Sequence, residues 1–374
     1  MKLPKKQPQV AVLDIGSGKL SVMVGKKTED SFIVIAQSES RYGGFIDDQW
    51  LEADNLFECV SKTIKRAQRS YGKKIREIYV GVPGSFTSVA ACEASVSFRY
   101  KKKFDKFDLL EIFNKANIYK DNIGFRAINR SPIYYLLNDE TKTMDPIGKV
   151  GTKLTGLISY TYADVNYLNK MAKILKEIGI TKTEFVSNCL AESWFLFDAK
   201  MRDNYIILID VGYICTNIML IYGDGIVFLK SFAIGSGHIS ADLCEMLNMD
   251  YKSAEELISK INLNLEFDIE DTYKLSKGLS VNAEKANNIV KARIEDIADY
   301  LNRCMQLCPY VIDSNTPVYL TGGGLTYIKG GAQCLSVMLD KTVKTAISNN
   351  PLTNNPQHST AYGLMDIAFK QKNN

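Results

Sequence analysis

Histidine is nearly missing from this chain: His238 and His358 are the only two in 374 residues. Eight cysteines occur singly, with no CxxC pair, and neither histidine stands at ligand spacing from them, which argues against a zinc centre. Cys304 and Cys308, four apart on one helix face, read as core residues, and the cysteine pattern suits a reducing compartment. An excess of one charge is also lacking, since 46 basic against 42 acidic residues leave +4, too little to argue for nucleic acid. No apolar run approaches the roughly 18 residues of a membrane span, and no secretory stretch precedes the first strand, so a cytoplasmic protein is expected. Lys2, Lys5 and Lys6 would each add about 1 kcal/mol at an anionic surface, not enough to hold the chain there alone. The GxxxxGK[ST] phosphate loop is absent as well.

What the chain does contain is an internal echo. "VAVLDIGSGKLSVMVG", residues 10–25, reads as a strand carrying Asp14, a tight turn and a second strand. "IILIDVGYICTNIMLIYGDG", residues 206–225, repeats the design with Asp210 and closes on Gly223-Asp224-Gly225. Two similar halves are therefore expected. Around them, amphipathic helices are predicted at 52–71, with Leu56, Cys59, Val60, Ile64 and Ala67 on one face, and at 164–178, with Leu168, Met171, Ala172, Leu175 and Ile178 inward and Gly179 as cap. Residues 85–162 mix strand-like runs with one helical run, "KFDLLEIFNKANI", and read as an inserted α+β unit. Residues 240–315 read as mainly helical, with a long periodic run from Ala283 to Cys308.

Three glycine-bearing turns carry the candidate chemistry. In the first, Gly16 and Gly18 are expected to take positive φ and bring backbone N–H groups to an anion, Asp14 to hold Mg²⁺ through water, and Ser17 and Lys19 to add a hydroxyl and a charge. A glycine-stabilised hairpin with no ligand is the plain alternative. Asp210 and Gly212 mark the second turn. In the third, Gly322, Gly323 and Gly324 follow an apolar strand, before an expected helix, where backbone can approach a sugar or phosphate unhindered.

Together these turns resemble the actin-like nucleotide-binding fold. Within it the chain resembles the bacterial cell-division protein family FtsA, through "AVLDIGSGKLSVMVG", "YGGFIDD", "REIYVGVPGSFTS", "DPIGKVGTKLTGLISYTY", "LIDVGYICTNIMLIYGDG", "FAIGSGHISADL", "SAEEL", "VYLTGGGLTYIKG" and "HSTAYGLMDIA". The resemblance implies an α/β, two-lobed fold of the duplicated ribonuclease H-like kind. Subdomain 1A would span 1–84 and 163–200, with 358–374 returning to it; the small 1C insertion 85–162; subdomain 2A 201–239 and 316–357; and a helical 2B 240–315. It implies a cytoplasmic adaptor, recruited to the division site, that binds ATP and Mg²⁺ between its lobes, contacts FtsZ and other divisome proteins, and self-associates into filaments. Carried over by position, Asp14, Gly16, Ser17, Gly18 and Lys19 would form the first phosphate loop and Asp210, Gly212, Thr216 and Asn217 the second. Asp14 and Asp210 would hold the metal through water, Gly235 and Ser236 border the phosphates, Glu255 meet the adenosine, and Gly322, Gly323 and Gly324 line the nucleoside face. The pilus-assembly adaptor PilM, with a similar insertion, is the nearest competing resemblance; a sugar kinase would need a general-base aspartate that no motif nominates.

The departures from the family are as informative as the matches. Its second loop runs Asp-Ile-Gly-Gly-Gly-Thr, where this chain has Asp210-Val211-Gly212-Tyr213-Ile214-Cys215, and Asn217 stands where an aspartate is usual. Bulky Tyr213 and β-branched Ile214 resist positive φ, and Ile258 replaces a common lysine beside Glu255. Weak or lost hydrolysis is the expectation, at most that of a weak ATPase. The last residues, Phe369 to Asn374, are too short for the family's membrane helix, so membrane contact is expected only through a partner or polymer.

Overall fold

The computed structural model describes residues 7–29, 31–119, 122–348 and 350–373; Lys2, Lys5 and Lys6 lie outside them. The first lobe starts with the meander β1 (Gln9–Ile15), β2 (Lys19–Lys27) and β3 (Phe32–Arg41), followed by the small hairpin β4 (Phe45–Ile46) and β5 (Gln49–Trp50). Helix α1 (Ala53–Tyr71) then leads to β6 (Glu77–Val82), which pairs parallel with β1. The apolar face expected on α1 is buried, and Gly72 ends the helix at φ +74°, a conformation that costs glycine nothing.

Next comes the inserted unit: β7 (Thr87–Lys103), α2 (Lys106–Ala116), β8 (Phe125–Leu137), β9 (Thr141–Thr143) and β10 (Val150–Asp164), forming a sheet of order β7-β10-β8-β9. Asp105 caps α2 by accepting from the Phe107 and Asp108 amides. The chain returns through α3 (Val165–Glu177) to β11 (Lys182–Ser187), completing a sheet of order β11-β6-β1-β2-β3. On α3 the buried side chains are Tyr167, Leu168, Met171, Ile174 and Leu175, whereas Ala172 is exposed. The buried stripe is thus rotated toward the large side chains, which bury more area than an alanine can. Gly179 takes φ +90° past the helix end, as expected.

Helices α4 (Asn188–Leu196) and α5 (Ala199–Arg202) lead into the second lobe, whose meander is β12 (Ile206–Val211), β13 (Thr216–Tyr222) and β14 (Gly225–Phe232). A helical stretch follows: α6 (Ser236–Leu247), α7 (Tyr251–Lys260), the small pair β15 (Thr272–Lys274) and β16 (Ser280–Asn282), and α8 (Ala283–Gln306). Strand β17 (Val318–Thr321), α9 (Gly331–Leu339) and β18 (Val343–Thr345) complete a sheet of order β14-β13-β12-β17-β18. This order and its strand directions repeat those of the first sheet, β3-β2-β1-β6-β11, so the expected duplication is present in three dimensions. Even the register repeats: Asp14 faces Ser21 across β1 and β2, and Asp210 faces Asn217 across β12 and β13.

Both central hairpin strands are apolar on their two faces, the pattern of strands covered on each side. Helices α1 and α3 cover one face of the first sheet; α4 and the last helix, α10 (Ser359–Asn373), cover the other. Cys189 and Leu190 of α4 also pack against Leu208, Met219 and Ile221 of the second sheet, which makes α4 the element shared by the two lobes.

Candidate functional site

The site lies where the two repeated hairpins face each other, at the open ends of β1 and β12. Asp14 and Asp210 sit one residue before the ends of these strands, Asp14 buried and Asp210 half-buried, and the repeat in topology brings them together. Burial pushes the Asp14 carboxyl up to about 7, against the opposing charge of Lys19, and the nearby Asp210 charge adds to the rise. Asp210 is pushed up to about 6 by burial, moderated by its bond from Asn217. The Asn188 amide donates to Asp14 Oδ1 at 3.3 Å and Asn217 Nδ2 to Asp210 Oδ2 at 3.1 Å. Beneath them lies Glu192, whose Oε1 accepts from Ser359 at 2.6 Å and Thr360 at 2.9 Å while Oε2 has no hydrogen-bond partner among the described residues. Burial, with Asp210 close by, holds this carboxyl well above the usual carboxylate range.

Asn188 and Glu192 were not singled out in the sequence. Their signal is positional: Asn188 immediately follows β11, two residues past the level of Asp14 in the strand register, and Glu192 lies one helical turn on in a segment otherwise apolar enough to be buried.

The first turn departs from expectation in its backbone. Neither Gly16 nor Gly18 takes a positive φ. Gly16 is bonded within the turn, its N–H to Lys19 O at 3.0 Å, and its carbonyl accepts from Tyr42 OH at 2.8 Å. At Gly18 glycine is needed for room, because a Cβ there would run into Cδ1 and Cγ of Tyr213. Ser17 Oγ accepts from the amides of Ile214 at 2.9 Å and Cys215 at 3.3 Å, and Lys19 reaches Glu39 at 3.1 Å.

The second loop crosses this space with no residue in the left-handed region, so the bulk of Tyr213 and Ile214 is accommodated without backbone strain. Its tyrosine ring, 38% exposed, lies between Gly18 on one side and, on the other, Gly237, where a Cβ would stand 2.8 Å from Cζ. The Tyr213 hydroxyl meets that of Tyr251 at 2.7 Å. Thr216 turns away, donating to Ile234 O at 2.6 Å.

The N-terminus of α6 is held by the same loop. Ser236 N–H donates to Gly212 O at 3.0 Å and Gly237 N–H to Tyr213 O at 2.7 Å, while His238 Nδ1 accepts from Gly235 N–H at 3.1 Å. At Gly235 a side chain would lie 2.6 Å from both the Gly212 and Tyr213 carbonyl oxygens. Glu255 accepts from Ser240 at 2.6 Å and approaches Arg41 of the other lobe at 3.6 Å.

The third turn is likewise occupied by protein. Gly322, at φ +86°, abuts Asp210 Oδ1; Gly324 donates to Val211 O at 2.7 Å and would place a Cβ 2.6 Å from Val211 Cγ1; Gly323 faces Gln357. The helix after it, α9, starts only at Gly331. A further feature beyond the sequence reading is His358, its side chain largely buried beside Lys19 and 3.5 Å from Glu39 Oε1, with its basicity lowered by burial.

With this geometry in place, comparison with known proteins is specific. The family model "Cell division protein FtsA" matches residues 207–363. Full-length similarity extends to the FtsA proteins of Bacillus subtilis (20% identical, covering 96% of this chain and 83% of that protein) and Enterococcus faecalis (21%, 95% and 82%). Among solved structures, a chain of the PilM-PilN type IV pilus biogenesis complex superposes with TM-score 0.64 at 14% identity over 96% of this chain and 98% of that one. Spiroplasma citri MreB5 bound to AMPPNP follows at TM-score 0.59 and 10% identity, over 99% and 98%. The fold is the actin-like one, and in sequence the chain is similar to FtsA proteins along nearly its whole length.

Proposed function

We propose that this divergent relative of the FtsA cell-division proteins is a division adaptor: a two-lobed scaffold that engages an FtsZ-type tubulin-like protein and assembles with copies of itself at the septum, with ATP hydrolysis lost. The observation that carries the loss of hydrolysis is the second loop, in which Tyr213-Ile214-Cys215 fills the space between the two aspartate hairpins and bonds to Ser17. A working hydrolase needs polar groups aimed at the transferred phosphoryl and its attacking water. Here the amides of Ile214, Cys215, Ser236 and Gly237 are already spent on protein oxygens. Similarity to FtsA proteins over nearly the whole chain supports the division role over the pilus role suggested by the PilM likeness.

The test is co-sedimentation of the purified protein with polymerised FtsZ from the same cell, alongside a pull-down scored for pilus components. Recovery with FtsZ supports the adaptor reading; recovery of pilus components instead overturns it. Phosphate release from ATP, measured in parallel, should stay at the level of a protein-free control.

A further inference from the structure

We infer that the protein fills its own phosphate site: the Tyr213 loop takes the place of a nucleotide's phosphates, so the two lobes are held closed without ligand. The inference shares with the adaptor reading the premise of lost hydrolysis, but it concerns binding and needs no partner.

A phosphate group held in such a cleft would be cradled by backbone amides from two turns and a helix N-terminus, approached over glycines that leave room for it. Each of those elements is present, and each meets protein instead. Ser17 Oγ, one neutral oxygen from the first lobe, accepts from two consecutive amides of the second, at 2.9 and 3.3 Å. The amides that open α6 go to the carbonyls of Gly212 and Tyr213. Gly18 and Gly237, from opposite lobes, both close on the Tyr213 ring, and Gly324 closes on Val211. A triphosphate could enter only by breaking the Ser17 bonds, expelling the ring and freeing the α6 amides together. The residues present therefore do not fit the nucleotide that the fold would otherwise hold. The contacts of Ser17 with Ile214 and Cys215, and of Tyr213 with Tyr251, supply the closure instead.

The experiment follows the thermal unfolding midpoint of the full chain with millimolar ATP and ADP, each with Mg²⁺, for the wild type, Tyr213→Gly and Tyr213→Phe. The wild type and Tyr213→Phe, which keeps the ring, should show no shift, while Tyr213→Gly should gain a concentration-dependent rise of several degrees. A rise in the wild type overturns the inference. So does a folded Tyr213→Gly that ignores nucleotide, because the ring would then not be what excludes it. Should that variant fail to fold, hydrogen exchange on the wild type decides: amides of Ile214, Cys215, Ser236 and Gly237 should be protected without nucleotide and unchanged by it. Fast exchange that slows on adding MgATP overturns the proposal. These readouts use nucleotide alone, so their failure leaves the FtsZ co-sedimentation result standing.

Discussion

At the level of single residues, the cleft is tuned by burial more than by charge pairing, and that sets a pH dependence. Asp14 titrates at about 7 in the folded protein against an ordinary 3.8, and Asp210 at about 6. Both folded values are raised, so the native state binds more protons than the unfolded chain between roughly pH 4 and 7, and stability must fall as pH rises through that window. Each group contributes a slope of at most about 1.4 kcal/mol per pH unit. Urea unfolding of the wild type between pH 5 and 8 should therefore show a falling midpoint, and Asp14→Asn, which removes the charge but keeps the shape, should make the fall shallower, with Asp210 and Glu192 still contributing, and be the more stable protein at pH 8. An equally steep profile in the variant would mean the slope arises elsewhere. Gly18 offers a second test at this scale. A methyl group there meets the Tyr213 ring, so Gly18→Ala should cost about 1–3 kcal/mol, the usual penalty of overpacking. Combined with Tyr213→Gly, the same alanine should cost close to nothing, because its clash partner is gone; equal costs in both backgrounds would show that the ring is not the obstacle.

At the level of elements, the helices that close the first lobe follow from apolar spacing, and the last of them is an anchor. In α10, Leu364, Met365, Ala368 and Phe369 pack on Val10, Val12 and Met23 of the first hairpin, and Gly363 lets the helix approach α4 so closely that a Cβ would strike Ala191 O. Phe369→Ala should destabilise by about 3–5 kcal/mol, the range for a large aromatic removed from a core, read as a shift in urea midpoint at constant slope. A loss below about 1 kcal/mol would place α10 outside the cooperative core. The same elements explain what was legible in the sequence. The Asp-Gly hairpins, the faces of α1 and α8 and the duplication show in sequence because apolar period and turn residues are local signals. The stripe of α3 departs from its apolar period at Ala172, since period alone does not say that Tyr167 and Ile174 bury more surface. The glycines were legible as positions of close approach, but not what approaches them: Gly18, Gly235 and Gly324 look like ligand contacts until the fold places Tyr213 and Val211 against them. Asn188 and Glu192 carry only a positional signal, because the carboxylates they meet lie in strands β1 and β12, far away along the chain.

At the level of the whole molecule, the inserted sheet is the piece whose position ties the lobes together. It leaves the first lobe after β6 yet docks on the second. Ile133 of β8 is buried in the core cluster that contains Val227 and Phe232. Ser159 of β10 donates to Ile226 O at 2.6 Å, Ser85 meets Ser231 at 2.9 Å, and Lys142 donates to Tyr222 at 2.8 Å. With α4 shared between the sheets and the Tyr213 loop bridging the cleft, relative movement of the lobes has to break several buried contacts at once. Unfolding should accordingly be a single transition even though the chain has two repeated halves. Ile133→Ala removes a buried side chain at this junction and should destabilise by about 2–5 kcal/mol, lowering the midpoint while keeping one transition, with far-UV circular dichroism and tryptophan fluorescence coincident. Trp50 reports on the first lobe and Trp194 on the α4 junction, so separated curves would be visible. Two transitions in the wild type, or an insert that melts in the variant while both tryptophans stay native, would mean that it rides on the lobes without joining them. A single displaced transition would make it the strut through which contacts on the insert are felt in the cleft.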